Sequence, residues 1–290
     1  MSTTTLDTPT VSDAVANPST AVLSATGTGL SMRGVLRSEW VKLRSVRSTT
    51  ATLAAAGGAL LVFGLLFAAI LGGVLSAGDG DPASEFASDP TGAALSGTML
   101  AQLIIGVLGV MIITSEYTTG QIRTTLTAVP TRVPVLVAKA AVLTAVVLPV
   151  MLASVLVTFL GGQALIGSGD LATASLGDPG VLRAVIGSAA YLTGVALMGL
   201  AVGTLLRSTA ASIATLFGAL FLLPGLAGIV LPSGWGDTLL SYLPSNAGTA
   251  FTSVVPAPGL LSSGVAMAVF AAWAVVPLVV AAIVQKRRSA

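Results

Sequence analysis

The sequence contains no cysteine and no histidine. That removes disulfides, thiol chemistry, His-based metal sites, His general bases and haem ligation by these side chains. Charge is also scarce. Only 8% of the 290 residues are charged, with 13 Lys and Arg against 11 Asp and Glu, whereas a soluble domain carries about 25%. So few charges cannot keep a globular surface of this size in water. Lysine occurs only as Lys42, Lys139 and Lys286, preceded by Val41, Ala138 and Gln285. None of the three sits in a GxxxxGK[ST] phosphate loop, so the chain carries no P-loop ATPase of its own. No cofactor, metal site or catalytic constellation is expected.

What the sequence has instead is apolar length. Hydrophobic residues make up 54% of it and the mean hydropathy is +0.96, which points to an integral membrane protein. A membrane-crossing helix needs roughly 20 mainly apolar residues. Six stretches qualify: about Ala51–Leu75, Leu95–Thr114, Val135–Leu160, Leu182–Leu206, Ala210–Val230 and Val265–Val284. The fold class is therefore an all-α membrane protein with six transmembrane helices. Residues 1–30 are rich in Ser, Thr and Ala, hold the acids Asp7 and Asp13, and lack the basic start and early apolar core of a signal peptide. They read as a disordered cytoplasmic tail ahead of a membrane domain over 31–290.

Basic residues collect in cytoplasmic loops. Arg33, Arg37, Lys42, Arg44 and Arg47 precede the first span. Arg123 and Arg132 lie in the second connection, with Lys139 at the next helix start. Arg207 follows span 4, and Lys286, Arg287 and Arg288 follow span 6. The other connections hold Asp79, Asp81, Glu85 and Asp89, then Asp170 and Asp178, then Asp237. Only Arg183 breaks the alternation. Both termini are expected in the cytoplasm of a multi-pass cell-membrane protein. No span carries a charge at its centre, which argues against a proton- or sodium-driven pump.

The segment RSEWVKLRSVRSTT begins at Arg37 and runs directly into the first span. On a helix from Met32 to Val46, Met32, Leu36, Trp40 and Leu43 fall on one face. Arg33, Arg37 and Arg44 flank it on one side and Lys42 on the other. This is the pattern of an amphipathic interfacial helix, with Trp40 at the headgroups and basic groups on anionic lipid. A plain positive-inside anchor for the first span is the alternative. The second cytoplasmic connection, SEYTTGQIRTTLTAVPTR, places Glu116 at the end of span 2 and offers a short helix over 119–128 stopped before Pro130. A solvated connection with a few charges is the competing reading.

Together these two segments resemble the permease subunits of type-2 ATP-binding-cassette (ABC) transporters, especially actinobacterial members. The resemblance extends from Met32 to Arg288. It implies a connecting helix at Arg33–Val46 on the inner leaflet, with Arg37, Trp40, Lys42, Leu43 and Arg44 in it. It also implies a coupling segment over 116–126, where a separate ATPase subunit would press on the membrane domain. Glu116, Gly120, Arg123 and Thr124 match the family pattern there. Glu116 and Arg123 would pair with each other or with the ATPase, and Arg207 would mark a second contact. Members act as two permease chains with two ATPase subunits, so a homodimer or a sister permease is implied, in contact with membrane lipid and with no nucleic acid.

The remaining signals are weaker. The connection from Leu231 to Ser263 is long and apolar. It is either a re-entrant cap, as in similar permeases, or a loop on the headgroups with Trp235 and Tyr242 at the interface. Ala196, Gly199 and Gly203 form a small ridge on span 4, suited to packing within one bundle or to a dimer seam. Pro149 and Pro224 free backbone carbonyls in spans 3 and 5. Gln102 and Tyr191 are polar exceptions in their spans; each could face a transport path or complete an interhelical hydrogen bond. The expected activity is export of a hydrophobic or amphiphilic compound using ATP hydrolysed by a separate subunit. A non-transporting membrane scaffold and a secondary carrier are the alternatives.

Overall fold

The computed structural model describes residues 31–75, 89–120, 132–169, 171–230, 235–255 and 259–287. Within them every regular element is helical. Six helices are long and apolar enough to cross a membrane, and all six expected spans are among them.

A first helix, α1 (Met32–Ser45), is broken at Val46, whose backbone is extended, and followed by α2 (Arg47–Leu71). At 1.5 Å per residue, the 25 residues of α2 cover roughly 37 Å, ample for a hydrocarbon core of about 30 Å. The second span begins earlier than its hydropathy suggests. The Asp89 side chain caps a short helix, α3 (Pro90–Leu95), by accepting a hydrogen bond from the Gly92 N–H at 2.8 Å, with Pro90 in the first turn. The chain then passes through Ser96 and Gly97 into α4 (Thr98–Thr118).

The third span is one helix, α5 (Arg132–Gly167), with Pro149 inside it. It runs seven residues beyond the expected end, where Gln163 donates to the Pro90 carbonyl at 3.0 Å and accepts from the Ala174 N–H at 2.8 Å. Those bonds give a buried amide its partners and tie α5 to two connections.

Helix α6 (Val181–Leu206) is the centre of the bundle. Of its most apolar stretch 78% is buried, against 11% for span 5 and 17% for span 6. Its closest neighbour is α4, and the reason is the absence of side chains. A Cβ on Gly199 would lie 2.6 Å from the Gly106 carbonyl oxygen, and one on Gly203 would lie 2.6 Å from Ile113 Cγ2. A Cβ on Gly109 would strike the Ala196 carbonyl. The ridge read from span 4 is thus half of a reciprocal seam, with Gly106 and Gly109 as the other half.

Span 5 is a composite of α7 (Thr209–Phe217), a π turn (Gly218–Leu222) and α8 (Leu223–Val230). The π turn lies immediately before Pro224. Proline lacks an N–H and its ring crowds the carbonyl four residues back, so widening the preceding turn accommodates it.

Two short helices, α9 (Trp235–Ser241) and α10 (Pro244–Thr252), precede the sixth span, α11 (Ser263–Arg287). Helix α10 is packed into the bundle. Phe251 is buried beside Gly187 of α6, and Gly248 abuts the Tyr191 ring. The Trp273 indole N–H donates to the Tyr242 carbonyl at 2.8 Å. Arg183, the exception to the charge alternation, belongs to this cap. Its guanidinium donates to the Ser253 carbonyl at 2.9 Å, to the Ala250 carbonyl at 3.5 Å, and to the Ser263 hydroxyl. It joins α6 to the carboxy-terminal carbonyls of α10, where a cation is favoured, and to the start of α11.

Candidate functional site

Four charged side chains meet where α1, the end of α4 and the start of α5 converge. Lys139 Nζ lies 2.6 Å from Glu39 Oε2 and 2.8 Å from Glu116 Oε1. Lys42 Nζ lies 2.8 Å from Glu39 Oε1 and 3.4 Å from Glu116 Oε1. Two carboxylates and two ammonium groups alternate in a ring of zero net charge. Glu39 and Lys139 are each 3% exposed and Glu116 is 5% exposed; Lys42 is half-buried.

Each element delivers its group for a local reason. On α1 the residues at i, i+4 and i+8, Val35, Glu39 and Leu43, turn inward. Val35 rests on Val135 and Ala138 of α5, which places Glu39 over Lys139 one turn further on. This protein-facing side shares only Leu43 with the apolar face read from the sequence, Met32, Leu36, Trp40 and Leu43. Met32 and Trp40 are exposed, Leu36 is half-buried, and Lys42 is paired with carboxylates instead of sitting on a lipid-facing flank. The inward face is decided by charge neutralisation as well as apolarity, because Glu39 is tolerated there only beside Lys139. Arg33, Arg37, Arg44 and Arg47 remain exposed.

Burial pushes the Glu39 carboxyl up, but Lys139 and Lys42 together overcome it and hold the group below its ordinary 4.5. Burial likewise pulls Lys42 down, and Glu39 and Glu116 together raise it above its ordinary 10.5. The lowered acid contributes stability that is present above 4.5 and lost as pH falls through its folded value. The raised base contributes stability that is present below 10.5 and lost as pH rises through its folded value. Thermal unfolding of the full chain in mild detergent should therefore show a plateau between these limits and a decline on the acid side. A midpoint of stability loss near neutral pH would contradict this cluster.

The second basic element joins the same place. The Arg207 guanidinium stands 5.3 Å from the centroid of the Tyr117 ring, a cation–π contact next to Glu116. Arg207 closes α6 in the left-handed conformation, φ 56°, with its N–H on the Gly203 carbonyl at 3.0 Å. Gly120 ends α4 in the same conformation, φ 72°, with open space around it, so glycine is required there by the backbone and not by packing. Of the expected coupling residues, Glu116, Gly120 and Arg207 thus gather at one end of the bundle. Arg123 and Thr124 lie outside the described residues. Glu116 is paired with lysines from α5 and α1.

Gln102 and Tyr191 are brought together in the packed core, where the Tyr191 hydroxyl donates to Gln102 Oε1. The Tyr191 ring stacks 4.9 Å from that of Phe270. Each side chain is the other's partner, so Tyr191→Phe should strand the amide oxygen and lower stability by about 1–3 kcal/mol. Adding Gln102→Leu to it should recover part of that loss in thermal unfolding.

Glu39 and Lys139 had no place among the sequence-based coupling residues. The available signal was a lone lysine at an apolar helix start and lone acids at the ends of neighbouring apolar segments, each expensive alone and inexpensive together.

No curated protein and no solved structure matches the chain. Residues 35–224 match the family described as ABC-2 family transporter protein, a span that runs from within α1 to the start of α8 and includes all four members of the charged ring. With more than half of the 290 residues matched and six apolar helices, α6 the most buried of them, the chain belongs to the ABC-2 family of transporter proteins.

Proposed function

We propose that this permease subunit exports a hydrophobic or amphiphilic compound, with ATP hydrolysed by a separate subunit that engages the basic end of the bundle. Membership of the family makes the chain a multi-pass membrane component and implies an ATP-binding partner. The observation that carries the rest is the convergence of α1, α4 and α5 on one buried charge ring, at the ends of the two helices, α4 and α5, that the segment with Arg123 and Thr124 joins in sequence. A push on that connection would reach three helices held by ion pairs at their meeting point, and the glycine seam between α4 and α6 would pass it to the central span. Glu116 then anchors the coupling segment, while Arg123, Thr124 and Arg207 offer groups to the ATPase. This end is cytoplasmic, in keeping with its exposed arginines. The chain works as a pair, with itself or a sister permease. The apolar outward faces of spans 5 and 6, including Leu226, Ile229 and Val276, are available to lipid or to that second chain. Spans built largely of Ala, Val, Leu and Gly suit a lipid-like cargo.

The test is a mild-detergent pull-down of the tagged full chain from native membranes. A P-loop ATPase should be recovered in stoichiometric amount, and Arg123→Glu should reduce its retention by about tenfold or more, as expected for reversing one charge at an interface. A preparation that preserves known membrane complexes yet contains no ATPase would sink the proposal.

A further inference from the structure

We infer that the groove between α1 and α5 binds one phospholipid with a net negative head group, its phosphate on Arg37 and Trp40 and an acyl chain between the helices. The groove has a volume of about 520 Å³ and is lined by Leu36, Arg37 and Trp40 of α1 and by Ala141, Val142 and Ala145 of α5. Helix α1 rests on Val135 and Ala138. Beside the next turns of α5 a space is left, because Ala141 and Ala145, one turn apart, carry only methyl groups.

The lining is graded as an amphiphile is. Leu36, Ala141, Val142 and Ala145 offer hydrocarbon only. Ala145 lies about 9 Å further along α5 than Lys139, so the groove leads from the level of the charged ring into the span. Arg37 and Trp40 supply donors, a guanidinium and an indole N–H. Both side chains are exposed, and neither has a hydrogen-bond or ion-pair partner among the described residues. A guanidinium fork matches the oxygens of a phosphate. An indole next to it suits the level where head groups meet acyl chains.

Charge decides the class of head group. Glu39, the one acid of α1, is neutralised in the ring by Lys42 and Lys139. Arg33, Arg37 and Arg44 therefore face their surroundings uncompensated. A phosphatidylglycerol head group answers that excess, whereas choline brings a second cation to it. The acyl chain covers the open side of Leu36, which packs on the cluster of Val35, Val135 and Ala138. Lipid binding thus holds α1 on α5, and with it Glu39 over Lys139.

The inference needs only that the chain crosses a bilayer. No nucleotide and no partner subunit enters it, so its failure leaves the transport reading standing. The full-length chain in a neutral maltoside detergent would be mixed with equal amounts of dioleoyl phosphatidylglycerol and dioleoyl phosphatidylcholine. Native mass spectrometry of the intact protein then counts bound lipid. One phosphatidylglycerol per chain should be retained, about tenfold over phosphatidylcholine, the scale of one or two basic groups near an anionic head group. Arg37→Gln should cut that preference to about twofold. Arg44→Gln makes the same charge change about 10 Å along α1, outside the groove, and should leave the preference nearly unchanged. Ala145→Phe fills the groove, alters no charge, and should lower phosphatidylglycerol retention as well. Arg37 and Ala145 are exposed, so neither variant disturbs the core. Equal retention of the two lipids would overturn the inference. So would equal losses in Arg37→Gln and Arg44→Gln, the mark of diffuse attraction to a basic surface, or unchanged retention in Ala145→Phe. A change of oligomeric mass in Ala145→Phe without loss of lipid would assign the groove to a second copy of the chain instead.

Discussion

Replacing Lys139 by methionine should destabilise the folded chain by about 3–5 kcal/mol, the usual consequence of removing one member of a buried ion pair. The shape of the side chain is nearly kept, so the loss is electrostatic. Lys139 holds Glu39 at 2.6 Å and Glu116 at 2.8 Å. Without it, two carboxylates share the half-exposed Lys42 in a site where neither can be hydrated. Unfolding of the purified full chain followed by a thiol-independent probe should show a drop in midpoint on the order of 10 °C. The double variant Lys139→Met with Glu116→Gln should be milder than the single one. It removes one charge of each sign and leaves the Glu39–Lys42 pair, 2.8 Å apart on α1, intact. A double variant worse than Lys139→Met alone would show that the four groups do not act as a neutral unit.

The second large effect concerns a single methyl group. Gly109→Ala should cost about 1–3 kcal/mol, because the added Cβ meets the Ala196 backbone, which has no rotamer with which to yield. Gly58→Ala in α2 is the internal control. A Cβ there has nothing within 4 Å, so the change should be neutral or raise stability by about 0.5–1 kcal/mol through helix propensity. The contrast separates packing from backbone entropy, since both glycines lie within helices. Equal thermal midpoints for the two variants would mean that α4 and α6 are not held by backbone contact. If the seam also transmits motion from the charged ring to the central span, Gly109→Ala should weaken coupling even in the fraction that folds.

The spans were legible because length and apolarity are local properties, readable in a window of about 20 residues. What was not legible depends on partners distant in the chain. Glu39 and Lys139 are 100 residues apart, and Gln102 and Tyr191 are 89 apart. Hydropathy ranks Glu39 as a surface residue; the fold buries it, because α1 packs along i, i+4 and i+8 onto a helix that carries the complementary charge. The early start of span 2 was hidden because Asp89 reads as a loop acid, whereas its carboxylate caps α3. Arg183 looked like an exception to the charge rule and is instead bonded to the cap. Gln102 and Tyr191 each stood out as a polar group in an apolar helix, but nothing local showed that they bond to one another.

The measurement that tests the central claim most directly is site-specific photo-crosslinking in native membranes, with one crosslinker per chain at exposed positions on opposite ends of the bundle. Thr119, at the end of α4 beside the charged ring, should capture a P-loop ATPase subunit; Asp178, ahead of α6 at the other end, should not. Capture of the ATPase from Asp178, or from neither position while the complex remains intact, would contradict the assignment of the charged ring to the coupling face.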